Sequence, residues 1–407
     1  MLYYFPLEAY KARYTCQLSA AGHQGWLESR WLENEVPYKR IEPSIAHEPI
    51  NIEHGSVLDA CQRGIYACGQ TAEFLKYLQS GLVTSDDVIY FDDFWQPGVE
   101  ALPYAFELTG IKPKMYALLH AQSVDEFDFV FKMLPWIRHF EKGIASILDG
   151  VFVSCELLAD LVYKQGLCEA DKIHITGLPY NSSKVKEIYF PQDYQNIEKK
   201  NQVVFSSRWD TEKDPLFFLD VIDRINELKY PIDYEHKINF VISTSHKKLK
   251  SNDEYLLSIL EDALAEFPNL EVRNNQTKED YYKTLLESKI QFNCADQDFI
   301  SWTLLEATTA GCVPVYPNYR SFKNLLPDKV SYSKHDVSSA MDVILRLIED
   351  DLFYKEVTNK NKYKEDFQSI VNYHDSAWER MWHVMYSEDN HKPYSYKRIL
   401  DAKTNNY

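Results

Sequence analysis

The segment Asp298-Phe-Ile-Ser-Trp-Thr-Leu-Leu-Glu306-Ala-Thr-Thr-Ala-Gly-Cys-Val-Pro-Val-Tyr-Pro317 places two carboxylates on either side of seven residues. That spacing suits a sugar hydroxyl at one acid and a nucleotide ribose at the other. Between them, the amides of Phe299, Ile300 and Ser301 stand where a helix would begin. The first N–H groups of a helix lack carbonyl partners within it and attract phosphate. Gly311 would close that helix, and Val313-Pro314-Val315 would open a buried strand. About ninety residues upstream, Phe205-Ser-Ser-Arg208-Trp-Asp-Thr-Glu-Lys213-Asp-Pro reads as a strand, a loop and a helix opening at Pro215. Arg208 and Lys213 could clamp a diphosphate, the arginine through its planar fork and the lysine as a point charge. An isolated pair of loop cations is more often simply solvated; the later acid pair supplies the reason to read them together. Breaking a sugar–diphosphate bond leaves negative charge on the departing group, so cations and amides fixed in advance stabilise the transition state more than the ground state.

The acid, seven residues, Glu, Ala and small-Gly-x-Pro-Val order resembles the donor-site signature of retaining GT-B glycosyltransferases (group 1 type), with Asp298 where Glu is usual. The family segment Gly-Arg-Leu-x-x-Glu-Lys is similar to the stretch around Arg208 and Lys213, with Ser207 for the Gly and Trp209 for the Leu. The resemblance covers about three quarters of the chain and is strongest over residues 203 to 317. It implies that Glu306 holds the ribose hydroxyls, that Asp298 holds the transferred sugar, and that Ser207, Arg208, Lys213, Phe299, Ile300 and Ser301 surround the diphosphate. It also implies that the Asn275-Gln276-Thr277 loop reads the nucleobase edge; an ordinary turn with Thr277 as helix N-cap is the equal alternative. His120, in Ala117-Leu-Leu-His120-Ala-Gln, ends an apolar strand where the family often has a sugar-positioning histidine. The set with catalytic roles is therefore His120, Arg208, Lys213 and Asp298. On the acceptor side, the loop Pro6 to Thr15 lacks the family's paired glycines, and Tyr10, Arg13, Asp92 and Asp93 are the candidates there.

Elements that could position these residues follow from the pattern of short apolar runs and amphipathic stretches, which predicts a mostly parallel sheet covered by helices. Strands are expected over Met1 to Phe5, Asp87 to Phe91, Lys114 to Leu119, Gly150 to Ser154 and Lys172 to Thr176. After a polar stretch from Asn181 to Asn201, read as a linker, the alternation restarts. Strands then fall at Val203 to Ser206, Ile238 to Ser243, Leu270 to Arg273, Ile290 to Asn293 and Val313 to Tyr316, with helices from Pro215, Asp253, Lys278 and Trp302. The expected fold is α/β: two doubly wound Rossmann-like domains facing a cleft (GT-B), with ligands at the carboxyl ends of the strands. The domains are 1–190 on the acceptor side, 191–375 for the nucleotide sugar, and 376–407 as an aromatic helix returning to the first domain.

A chain of 407 residues exceeds one ordinary core and suits two domains of about 150 to 200 residues. Seven cysteines without paired close spacing argue for a reducing compartment rather than a disulfide framework. No basic-then-apolar leader or run of roughly 18 apolar residues is found, so the expectation is a cytoplasmic protein, in host cytoplasm if phage-encoded. The formal charge of -17 disfavours nonspecific attraction to polyphosphates and anionic membranes. The 29 tyrosines and eight tryptophans are read mainly as core packing.

The resemblance implies a retaining transferase that takes its sugar from a nucleoside diphosphate, with UDP-sugar the expected donor and no cofactor or metal required. The opening Tyr3 to Thr15 and the Lys-, Asn- and Tyr-rich composition resemble bacteriophage enzymes that glycosylate hydroxymethylated bases in DNA. A basic strip of His246, Lys247, Lys248, Lys250, Arg273 and Lys278 would have to offset the net charge. A glycan or lipid acceptor, a UDP-sugar epimerase and a silent scaffold are the alternatives on the same fold. A metal-dependent GT-A enzyme using Asp92 and Asp93, or Asp296 and Asp298, is the alternative on a different one.

Overall fold

The computed structural model describes residues 1–7, 25–44, 60–229, 238–323, 325–387 and 394–404. It divides into two compact units, one of residues 1–52, 57–181 and 373–407, the other of 53–56 and 182–372. The sequence-based boundaries lie at 190/191 and 375/376.

Six strands build the sheet of the first unit: β1 Leu2–Phe5, β2 Tyr38–Arg40, β3 Val88–Phe91, β4 Lys114–Leu119, β5 Gly150–Val153 and β6 Ile173–Ile175. Their order is β2-β1-β3-β4-β5-β6, every pair parallel, so the order reverses between β1 and β3. The register aligns Tyr4 with Tyr90, Tyr90 with Tyr116, and Leu118 with Phe152. Alternate residues share one face of a strand, and Leu2, Tyr4, Val88, Tyr90, Tyr116, Leu118 and Phe152 form one buried cluster. Gly150 lies opposite Tyr116, and a Cβ there would sit 2.9 Å from the tyrosine ring; the glycine is what lets that ring lie flat against the sheet. The helix Ala377–Tyr386 covers this face with Met381, Val384 and Met385, which project from one side at helical spacing.

In the second unit the strands are β7 Lys200–Phe205, β8 Asn239–Ser243, β9 Leu270–Arg273, β10 Ser288–Phe292, β11 Val313–Pro317 and β12 Ser331–Tyr332. The order β12-β11-β10-β7-β8-β9, again parallel, reverses between β7 and β10. Loops leaving the carboxyl ends of the two strands that flank such a reversal form the usual crevice for ligands in open α/β sheets. Here they are the Arg208 to Asp214 loop after β7 and the Asn293 to Ser301 loop after β10. Phe205 pairs with Phe292, so both loops leave the sheet at the same level.

Two differences from the sequence reading have clear causes. Strand β7 begins at Lys200 rather than Val203, because the polar Gln202 pairs with Asn239 and its amide donates to Ser288 Oγ at 2.6 Å. The short edge strands β2 and β12 have no apolar alternation of their own and exist through pairing with β1 and β11. The supposed linker also contains a helix, Ser182–Tyr189, whose Tyr189 ring stacks on Tyr282 of the second unit at 4.9 Å.

Candidate active site

The helix Trp302–Thr309 is the centre of the site in the second unit. Its end is a Schellman turn: Gly311 has φ +70°, Gly311 N donates to Thr308 O and Cys312 N to Ala307 O. The chain then enters β11. At the other end Ser301 is the N-cap residue, yet its hydroxyl makes no cap bond. It shares a hydrogen bond with Thr303 Oγ1 at 2.7 Å and receives one from Tyr316 Oη at 3.5 Å. Phe299 is buried under the Arg320 guanidinium, 4.7 Å from its ring centre, and Ile300 is half-buried.

The two acids of the sequence motif are held in different ways. Asp298 Oδ1 lies 2.6 Å from Lys213 Nζ, and Asp298 Oδ2 accepts from Asn293 Nδ2 at 3.2 Å. Burial alone would raise the Asp298 carboxyl, but Lys213, Asn293 and Arg208 together hold it below the usual carboxylate range. Glu306 is buried; its Oε2 accepts from Tyr281 Oη at 2.8 Å and its Oε1 from Tyr282 Oη at 2.9 Å, with Lys278 Nζ at 3.8 Å. A carboxylate has about four lone-pair positions, so two tyrosines can orient Glu306 without exhausting it. Tyr281 also lies beside Ser206, at the end of β7. Burial and the neighbouring Glu306 push its hydroxyl far above the usual phenol range, keeping it a donor.

Of the two expected clamp cations, Lys213 faces Asp298, while the half-exposed Arg208 pairs with Glu212 and lies 3.7 Å from Asp210. Ser207 is half-buried between them and the strand. Trp209 is fully buried, with its indole N–H donating to Leu256 O at 3.0 Å; it anchors the loop rather than facing a ligand. The amides of Asn275 and Gln276 donate to His246 O and Thr244 O, and Thr277 forms a capping box with Asp280 at the start of helix Lys278–Glu287. The nucleobase loop of the sequence reading is therefore built first of all as a helix cap.

The Asp214 and Asp296 loops are tied together by Lys334, which is nearly buried and lies 3.0 Å from Asp214 and 3.1 Å from Asp296. Asp296 N donates to Glu212 O at 3.0 Å, so the Lys213 and Asp298 segments are cross-linked twice. Asp214, Asn275, Arg320 and His335 all have φ between 51° and 63°, a conformation that is costly away from glycine and recurs at functional sites. Among the six basic-strip residues, Arg273 is engaged by Glu271, Thr284 and Gln202, and Lys248 lies near Glu261. Burial and Lys250 lower His246, so it adds little positive charge near neutrality.

In the first unit His120 Nε2 is 3.0 Å from Asp92 O. A carbonyl only accepts, so that nitrogen carries a proton and Nδ1 of the neutral ring is an acceptor. Asp92 is fully buried, accepting from Tyr4 Oη; burial pushes its carboxyl up to about 7. Asp93 Oδ1 accepts from Trp95 N and Gln122 Nε2. Tyr10 and Arg13 lie outside the described residues. Among the described residues, no group of three or more His, Cys, Asp and Glu is arranged to hold a metal ion, and no helix is long and apolar enough to cross a membrane.

Sequence reasoning missed Tyr281, Tyr282, Asn293 and Lys334. Asn293 immediately follows β10 and was the one recoverable from position alone. The tyrosines arrive from a helix before β10, and adjacent helical residues have no common face to reveal a shared target.

No family model matches this chain. Over its whole length, the fold resembles sucrose-phosphate synthase from Thermosynechococcus elongatus, with a TM-score of 0.64, 11% identity, and coverage of 98% of this chain and 99% of that one. A UDP-forming α,α-trehalose-phosphate synthase from Burkholderia vietnamiensis aligns with a TM-score of 0.62 at 12% identity, covering 94% and 97% of the two chains. The two parallel six-stranded sheets with flanking helices are the GT-B fold, as the sequence motif implied; the GT-A alternative does not fit this architecture. In sequence, 166 residues are 25% identical to the tRNA-queuosine alpha-mannosyltransferase of Drosophila melanogaster. That match spans 37% of this chain and 41% of the relative's length.

Proposed function

We propose that the chain is a retaining glycosyltransferase that moves a sugar from a nucleoside diphosphate, UDP in the first instance, to a hydroxyl of a modified nucleobase. The observation that carries the donor half is the pairing of Lys213 with Asp298 at 2.6 Å beside a helix N-terminus, with Glu306 held by two tyrosines one helical span away. In this reading Glu306 takes the ribose and Asp298 the transferred sugar. Lys213 and Arg208 turn to the diphosphate when it enters, leaving Asp298 free to meet hydroxyls. Developing charge on the leaving group is then met by two cations and by the amides of Phe299, Ile300 and Ser301, which lead into the helix Trp302–Thr309 rather than forming its first turn. Asn275, Gln276 and Thr277 border the nucleobase, and Ser207 the phosphates. His120 positions the sugar. The acceptor hydroxyl attacks on the face from which the diphosphate leaves, and the diphosphate takes its proton.

For the acceptor, the first unit contributes Asp92 and Asp93, with Tyr10 and Arg13. A 5-hydroxymethylated pyrimidine in DNA is the first substrate to try. A tRNA base is the second reading, favoured by the 166 residues aligned with a tRNA-queuosine alpha-mannosyltransferase. Either base would have to leave its stack to be modified. Product stereochemistry from nucleotide sugar and hydroxymethylated DNA or bulk tRNA, read by NMR and mass spectrometry, tests the assignment. Donor isomerised with no acceptor present would point instead to an epimerase. A chain that no nucleotide sugar stabilises against heat would be a scaffold.

A further inference from the structure

At the carboxyl ends of β3 and β4 the first unit carries an aromatic surface that none of the assigned roles uses. Asp93 Oδ1 accepts from Trp95 N at 3.0 Å and from Gln122 Nε2 at 2.8 Å. Gln122 Oε1 accepts in turn from His120 N at 3.1 Å and Ala121 N at 2.9 Å, with the backbone of Gln122 held at φ +56°. One carboxylate and one amide thus fix the Trp95 loop to the His120 loop. Against Trp95 pack Trp136, 6.3 Å away between ring centres and tilted by 39°, and Phe140, edge-on at 5.8 Å. Trp136 belongs to the first turn of helix Leu134–Ile147, behind Pro135, and is 55% exposed.

A single exposed indole needs no explanation. A rigidly tethered pair differs from that case. The shielded indole N–H of Trp95 also has no hydrogen-bond partner among the described residues, which is unlike a satisfied core contact. We propose that Trp95 and Trp136 form the platform on which the acceptor's flat heterocyclic ring stacks, beside His120 and Asp93. This assignment rests on the modified-nucleobase reading above. A nucleobase fits better than a pyranose because Asp93 Oδ1 and both ends of the Gln122 amide are already engaged. With those atoms engaged, a flat ring can still be held by stacking on its π-face, with the Trp95 indole N–H left to meet a ring acceptor.

The test uses the full chain, its Trp136→Ala and Trp136→Phe variants, and a 5-hydroxymethylcytosine oligonucleotide and tRNA as probes. Tryptophan fluorescence of the wild type should be quenched by a base-containing probe. Trp136→Ala should weaken that binding and raise the acceptor KM about ten- to hundredfold. The donor KM and melting temperature should hold, and Trp136→Phe should recover most of the loss. If the wild type transfers sugar to a base while Trp136→Ala keeps the same acceptor KM, the platform is refuted and the function stands. Quenching and transfer with a monosaccharide or glycan, and none with either nucleic acid, would refute both the platform and the nucleobase acceptor while leaving the donor site intact.

Discussion

Lys213 and Asp298 neutralise each other in a half-buried setting, so each residue has a structural and a chemical role that substitution can separate. Lys213→Met should leave the Asp298 carboxylate without its counter-charge and cost on the order of 2 kcal/mol of stability. Adding Asp298→Asn should restore most of that stability and none of the activity, measured as melting temperature beside kcat/KM. Arg208 is 44% exposed and, among the described residues, its ion pairs are with Asp210 and Glu212 of its own loop, so Arg208→Ala should melt close to the wild type yet lose tens to hundreds fold in kcat/KM. Asp92 gives the pH prediction. Its carboxyl titrates near 7 in the folded chain against 3.8 when unfolded. Between those values the folded state alone keeps the proton, so this contribution is complete below about pH 4 and is lost as pH rises through 7. Asp92→Asn should therefore flatten the melting-temperature profile across that window and raise it by a few degrees at pH 8. An unchanged profile in a pH series would show that Asp92 does not ionise there.

At the level of elements, the helix Lys278–Glu287 brings Tyr281 and Tyr282 to Glu306, and its start depends on Thr277. The Thr277 hydroxyl donates to Asp280 Oδ2 and accepts from Asp280 N, which occupies it within the cap. Thr277→Ala should cost about 1 kcal/mol, a fall of roughly 2 to 4 °C in melting temperature, with the donor KM changed by less than about twofold. A raised KM at unchanged stability would instead mean that Thr277 touches the nucleotide. Strand positions were readable from the chain because a buried parallel strand such as β4 is a continuous apolar run and the half-buried edge strand β9, Leu-Glu-Val-Arg, alternates; both fall where the pattern puts them. Gly311 and the Asp298–Glu306 pair were readable because caps and helix entries are local. Asn293, Lys334 and the tyrosine clamp were not, since they reach the site across tertiary contacts with no periodic signature. The edge strands β2 and β12 were invisible for the same reason, being defined by their partners.

On the scale of the whole molecule, the second unit is almost one continuous stretch, 182–372, whereas the first is closed by residues from both ends of the numbering. Expressed alone, residues 182–372 should fold with a cooperative melt and be stabilised by nucleoside diphosphate, as read by circular dichroism and thermal shift. Failure of that fragment to fold would mean that the second unit depends on the first. A chain ending at residue 372 should leave the Leu2, Tyr4 and Tyr90 face without Met381, Val384 and Met385 and be recovered as aggregate. That packing also sets an order of events during synthesis. The earliest strand emerges from the ribosome long before the helix that seals it, and about 370 residues of chain lie between Phe5 and Ala377, which take roughly 20 to 75 s to translate. Throughout that interval its tyrosine row is a sticky, half-finished surface, so a nascent-chain chaperone would be expected to guard the front of the polypeptide while its middle is already native.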